Sequence, residues 1–172
     1  MPKIVTAKRR EDEMDRARLY LKSRLMFPTI PLGMVTLLVG YGSVGLMWIQ
    51  DELTPKVLLG STILFVSGAL WGWGHARYDR FLVRTCPDYL ARKQKLLEAA
   101  KVMKRAKKDA AGAGPSHPGR RMVVAAYAIG VCAQLGLTVY YLPTVGVYPA
   151  VFLPWAGYLN AKVIALRDLF TS

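Results

Sequence analysis

His75 and Asp79 stand four residues apart where an apolar stretch gives way to charge. They are the one pair in this chain whose types and spacing could move a proton. With Arg77 and Arg80 beside them they could relay protons, hold a quinone headgroup or serve a lipid-active enzyme as its reactive pair. The plainer expectation is an interfacial anchor, His75, with Asp79 as its intrahelical partner. Haem ligation would need a second histidine on a span, whereas His117 falls in a Gly/Pro-rich segment. Gln134 is the one strongly polar side chain near the middle of an apolar stretch, and in lipid its amide needs a partner such as Asn160 or a backbone group. Pro154 is expected to kink its helix, because its ring opposes the carbonyl of Ala150. A transport pathway would require Pro154, Gln134 and Asn160 to converge. Lys162, close to the end of its stretch, is expected to snorkel to the polar boundary.

Other chemistries lack their residues. Gly40, Gly42 and Gly45 reproduce a GxGxxG spacing, but inside an apolar run with no strand before it, so packing is the expected role. Cys86 and Cys132 fall in a basic segment and in an apolar one, which implies no disulfide framework. No metal, cofactor or small-molecule substrate is expected, and the chain is not expected to be an enzyme.

The elements that must position these residues are four apolar stretches, at 27–49, 57–74, 122–142 and 145–165. Each is long enough, at 1.5 Å per residue, to cross a hydrocarbon core about 30 Å thick, the second only just. None contains an acidic residue, and Lys162 is the only basic one. The fold class expected is all-α: an integral membrane four-helix bundle made of two transmembrane hairpins, with an N-terminal amphipathic helix and a basic soluble helix between spans 2 and 3. The segments are 1–26 (basic and amphipathic), 27–75 (first hairpin), 76–121 (basic helix and Gly/Pro linker) and 122–172 (second hairpin and tail). No cleavable leader is expected, since the apolar run after residue 26 is too long and lacks a small-residue cleavage site.

Charge sets the expected orientation. Residues 1–26 hold eight Lys or Arg against four acids, and residues 76–121 hold thirteen against four. The links at 50–56 and 143–144 carry Asp51, Glu52 and Lys56, and nothing, respectively. An even number of spans puts both basic segments and the C-terminus on one side, expected to be the cytoplasmic, matrix or stromal side. A bacterial or organellar inner membrane fits, and the endoplasmic reticulum is possible.

Within 9–26, Met14, Ala17, Leu21 and Leu25 mark one face of a helix expected to lie along the headgroups until Pro28 and Pro31 redirect the chain. A second soluble helix is expected at about 88–110, with Tyr89, Leu96, Ala100 and Met103 on one face. Its basic residues, Arg92, Lys93, Lys101, Lys104, Arg105, Lys107 and Lys108, are expected to meet anionic phospholipids or an acidic partner. Trp48, Trp71, Trp73 and His75 are expected interface anchors. Stripes of small residues are expected to make close helix contacts, inside the bundle or with partner subunits. They are Gly60, Gly68 and Gly72; Ala126, Gly130 and Gln134; Gly157 and Ala161; and, more loosely, Gly33, Thr36 and Gly40.

The layout of a basic N-terminus, two spans, a basic soluble helix and two more spans resembles in outline the gamma subunit of the translocon-associated protein complex. That resemblance implies a basic part approaching a ribosome, the only setting in which nucleic acid, as ribosomal RNA, is expected. The function expected first is a non-enzymatic, multi-pass accessory or scaffold subunit of a larger membrane complex, a respiratory or photosynthetic assembly being one such host. The alternatives are a ribosome- or translocon-associated adaptor and a small transporter or channel.

Overall fold

A computed structural model describes residues 2–102 and 119–171, with side chains for 10–23, 25–95 and 119–167. The described residues are almost entirely helical: α1 (Pro2–Tyr20), a π-helical segment (Leu21–Met26), α2 (Phe27–Ile49), α3 (Pro55–Thr85), α4 (Pro87–Val102), α5 (Arg120–Val145) and α6 (Val147–Thr171). Among the described residues three helices are long and apolar enough to cross a membrane: Arg10–Ile49, which runs through the π-helical segment, Pro55–Thr85 and Arg120–Val145. The fourth expected span corresponds to α6, whose 25 residues include Pro149, Pro154, Asn160 and Lys162, all of which lower its hydropathy.

Two prolines do not redirect the chain as expected. Helix α1 continues through Leu21–Met26 into α2 without interruption, with the Phe27 N–H donating to Lys22 O. A wider π turn accommodates a proline downstream because its backbone pairing is already offset. Hydroxyls serve nearby carbonyls: Thr29 donates to Leu25 O, and Ser23 to Leu19 O at 2.8 Å. Helix α1 does not stand alone on a surface either. Ala17 and Leu21, the apolar face seen in the sequence, pack with Leu82, Val83 and Leu90 of α3 and α4.

The turn after α2 closes as a Schellman motif. The Glu52 N–H donates to Met47 O (2.9 Å) and the Asp51 N–H to Trp48 O (3.3 Å), with Asp51 at φ 56°. Aspartate is among the few non-glycine residues that visit this region at modest cost. Thr54 then caps α3 by accepting from the Val57 N–H (3.4 Å), and Pro55 takes the first helical position. Helix α5 ends at Gly146, whose φ of 79° suits glycine and where a Cβ would lie 2.9 Å from Met47 Cε.

The arms of the first hairpin are not principal packing partners. Helix α6 packs most extensively on α3 and next on α2, and so lies between them. Glycine makes this insertion possible. A Cβ on Gly68 would strike the Pro154 carbonyl, one on Gly72 the Tyr158 carbonyl, and one on Gly157 the Phe65 carbonyl. From Gly68–Pro154 through Gly72–Tyr158 to Asp79–Lys162 the paired numbers rise together, so α3 and α6 are parallel. On the other flank, Gly40 faces Leu153 and Gly33 faces Leu159 and Asn160, an antiparallel pairing. Around this contact Val44, Leu64, Val145, Ala150 and Leu153 form a buried cluster.

Polar side chains in this packed zone satisfy themselves locally. Thr36 donates to Leu32 O (2.9 Å) and Gly33 O (3.0 Å), and Ser43 to Val39 O and Gly40 O, both at 2.8 Å. Asn160 donates to Ala156 O (2.8 Å) within its own helix and to Gly33 O (3.2 Å) on α2. Such interhelical bonds average about 0.6 kcal/mol in membrane proteins. Asn160→Ala should therefore lower stability by no more than about 1 kcal/mol, as read from thermal unfolding of the detergent-solubilised chain.

Helix α5 is the outlier. Val145 at its end is its only buried residue, and its contacts with α3 and α6 are sparse.

Candidate functional site

Helix α3 has 31 residues, a length of about 46 Å. Its apolar part, 57–74, covers little more than half of that. The remainder carries His75, Asp79 and Arg80 into a region shared with α1, α4, α5 and α6.

Asp79 is buried there, and its partner lies on another helix. Lys162 Nζ is 3.0 Å from Asp79 Oδ2, and the two residues are 5% and 8% exposed. The ammonium lies off the hydrogen-bonding direction, so Oδ2 is neutralised by charge yet receives no well-directed hydrogen bond. This corrects the expectation that Lys162 snorkels. Parallel packing of α3 and α6 puts its side chain opposite a carboxylate, and an unpaired buried carboxylate would be costly. His75 is only a marginal partner of Asp79, with Nε2 4.0 Å from Oδ1. Its Nδ1 instead shares a 2.5 Å hydrogen bond with the Tyr158 hydroxyl on α6. A second tie between the same helices is the Arg80 guanidinium, which donates to Ala165 O.

Aromatic rings surround this polar cluster. Trp71 lies 5.2 Å from the Tyr127 ring of α5 and 5.1 Å from the Tyr158 ring, and Tyr127 meets His75 edge-on at 5.2 Å. Trp71 and His75 are thus half-buried joints between helices rather than simple interface anchors. Trp48 and Trp73 are exposed, and the Arg77 guanidinium lies 4.1 Å above the Trp73 ring.

Beside the cluster is a cavity of about 860 Å³, within the range of small-molecule sites. Its walls come from every helical segment except α2: Tyr20, Leu21 and Leu25; Leu70, Trp71, Gly74, His75, Tyr78, Asp79 and Leu82; Tyr89, Leu90 and Lys93; Arg120, Val123, Val124, Ala126 and Tyr127; and Lys162. Arg120, Tyr127 and Tyr158 had no signal of their own in the sequence. Lys162 did: a lone cation in an apolar stretch needs a counter-charge, and Asp79 at the exit of another stretch was the available one.

The remaining expected residues divide by helix. Gly60, Gly68, Gly72 and Gly157 are buried contacts, Gly60 against Val145 and Tyr141 of α5, and Ala161 is half-buried. Gly130 sits against the Trp71 ring, with a prospective Cβ 3.1 Å from Nε1. Ala126 is exposed to the cavity rather than packed on a helix, because α5 stands off from α3 at that level. Gln134 does not meet Asn160. Its Nε2 is buried without a hydrogen-bond partner among the described residues, while Asn160 bonds toward α2. Pro154 lies within a continuous helix with its carbonyl against Gly68.

On α4 the buried face is Leu90, Ala91 and Gln94, one residue round from the Tyr89 face expected, because α4 packs on α1. Arg92 is exposed and pairs with Asp88 at 3.6 Å, whereas Lys93 turns to the cavity and lies 4.7 Å above the Tyr89 ring. The side chain of Lys101, and Lys104, Arg105, Lys107 and Lys108 altogether, lie outside the described residues, as do Met103 and most of the Gly/Pro linker.

No protein-family model, curated protein or solved structure matches this chain. The functional reading therefore rests on the geometry.

Proposed function

We propose that the chain is a non-enzymatic, multi-pass membrane subunit that crosses the bilayer four times, with its basic segments on the cytoplasmic or matrix side, and packs against partner subunits of a larger assembly. One observation carries the partner reading. Seven helical glycines face a neighbouring helix closely, but Gly42 and Gly45 of α2 and Gly136 of α5 have nothing within 4 Å of a prospective Cβ and do not line the cavity. A glycine inside a helix costs about 1 kcal/mol relative to alanine, and these three gain no internal contact in return. In lipid, small residues are used where another backbone must come close. The almost wholly uncovered flank of α5 supports the same reading.

Leucine at Gly42, Gly45 and Gly136 together tests it. The isolated variant should unfold at the wild-type temperature or slightly above, while the share of the chain migrating in a high-mass complex on native gels should fall at least tenfold. Unchanged complex formation by this variant would reject the partner reading.

A further inference from the structure

The cavity at the basic end has the shape and charge of a site for one amphiphile. On α3 it runs from Leu70, inside the apolar stretch, to Leu82 beyond it, a span of about 18 Å along the helix. Its apolar end is walled by Leu70, Val123 and Val124, whereas Lys93 and Arg120 line it from α4 and α5. The Asp79 carboxylate also reaches the cavity, but Lys162 already neutralises it at 3.0 Å. Neither Lys93 nor Arg120 has a carboxylate partner among the described residues, so the lining carries two uncompensated positive charges.

We infer that this cavity binds a single anionic glycerophospholipid, with its phosphate between Lys93 and Arg120 and an acyl chain directed past Val123 toward Leu70. A guanidinium and an ammonium are the side chains that recognise phosphate, the first through paired N–H donors and the second as a point charge. An apolar wall continuing from the cationic end selects a lipid over free phosphate. The site ties α5, the least buried helix, to α4 through a ligand, beside the direct contacts that α5 makes with α3. The inference rests on the chain being embedded in lipid and is independent of whether it has partner subunits.

The test uses the full chain in nonionic detergent, titrated with dioctanoyl phosphatidylglycerol and followed by native mass spectrometry and thermal unfolding. One lipid should bind per chain, at least tenfold more tightly than dioctanoyl phosphatidylcholine. Lys93→Gln with Arg120→Gln should weaken binding at least tenfold. Arg84→Gln with Arg121→Gln, which removes the same charge at two exposed residues outside the cavity, should leave it unchanged. Val123→Trp, filling the apolar end, should weaken binding as well, and it serves in place of the double variant should that one fail to fold. Equal affinity for phosphatidylcholine, or equal losses in the two charge variants, would overturn the inference. Displacement of the lipid by millimolar inorganic phosphate would assign the site to free phosphate and overturn it too.

Discussion

Leucine at Gly68 should separate α3 from α6 and cost about 3 kcal/mol or more. The obstacle to a side chain here is the Pro154 carbonyl, part of a helix backbone, and not a flexible side chain that can rotate away. Overpacking a side chain into a tight core typically costs about 1–3 kcal/mol, and a contact with backbone belongs at or above the upper end. Pro154 sharpens the effect, since its fixed φ restricts how α6 can yield. Gly72→Leu, facing the Tyr158 carbonyl one turn on, should behave alike. Gly42→Leu, with open space around it, should not. Thermal unfolding of the purified chain in detergent checks the contrast. A Gly68→Leu variant as stable as Gly42→Leu would contradict the packing of α6 between α2 and α3.

Methionine at Lys162 should be the most damaging change at the polar cluster, costing about 3–5 kcal/mol, the range for removing one partner of a buried ion pair. Asp79, 8% exposed in the wild type, would lose its cation, with only His75 Nε2 4.0 Å away and the other ring nitrogen of His75 already bonded to Tyr158. Asp79→Leu added to Lys162→Met removes the stranded charge and should recover most of the loss, because an apolar pair of similar volume often replaces an ion pair at no cost. Equal stability of the single and double variants would show that the pair is not buried as described. This double-mutant cycle also probes the topology of packing, since it joins two helices more than eighty residues apart in sequence.

Much of the helical framework was legible in the residues because apolar stretches and turns are local features. The turn from Gln50 to Pro55 and the packed glycine faces of α2, α3 and α6 follow from composition and four-residue spacing. What spacing does not state is which face meets which. Residues 27–75 read as a hairpin, and which helix packs on its arms was not visible: α6 lies between them, because Gly33 and Gly40 on one side and Gly68 and Gly72 on the other accept the same third helix. The face of α1 bearing Ala17 and Leu21 was visible, but an amphipathic pattern shows only that a face is covered, and here the cover is α3 and α4 rather than headgroups. The charge of Lys162 was visible too, and its burial was not, because its counter-ion belongs to another helix. His75, Asp79 and Lys162 stood out singly, but the cavity as a whole did not, because its lining is assembled from α1, the π-helical segment, α3, α4, α5 and α6.

The most direct test of the proposed role is extraction from native membranes in mild detergent, followed by native electrophoresis and mass spectrometry of the comigrating proteins. The 19.1 kDa chain should migrate in an assembly far larger than itself, with a reproducible set of other membrane proteins. Migration alone, or only with further copies of the same chain, would contradict the account.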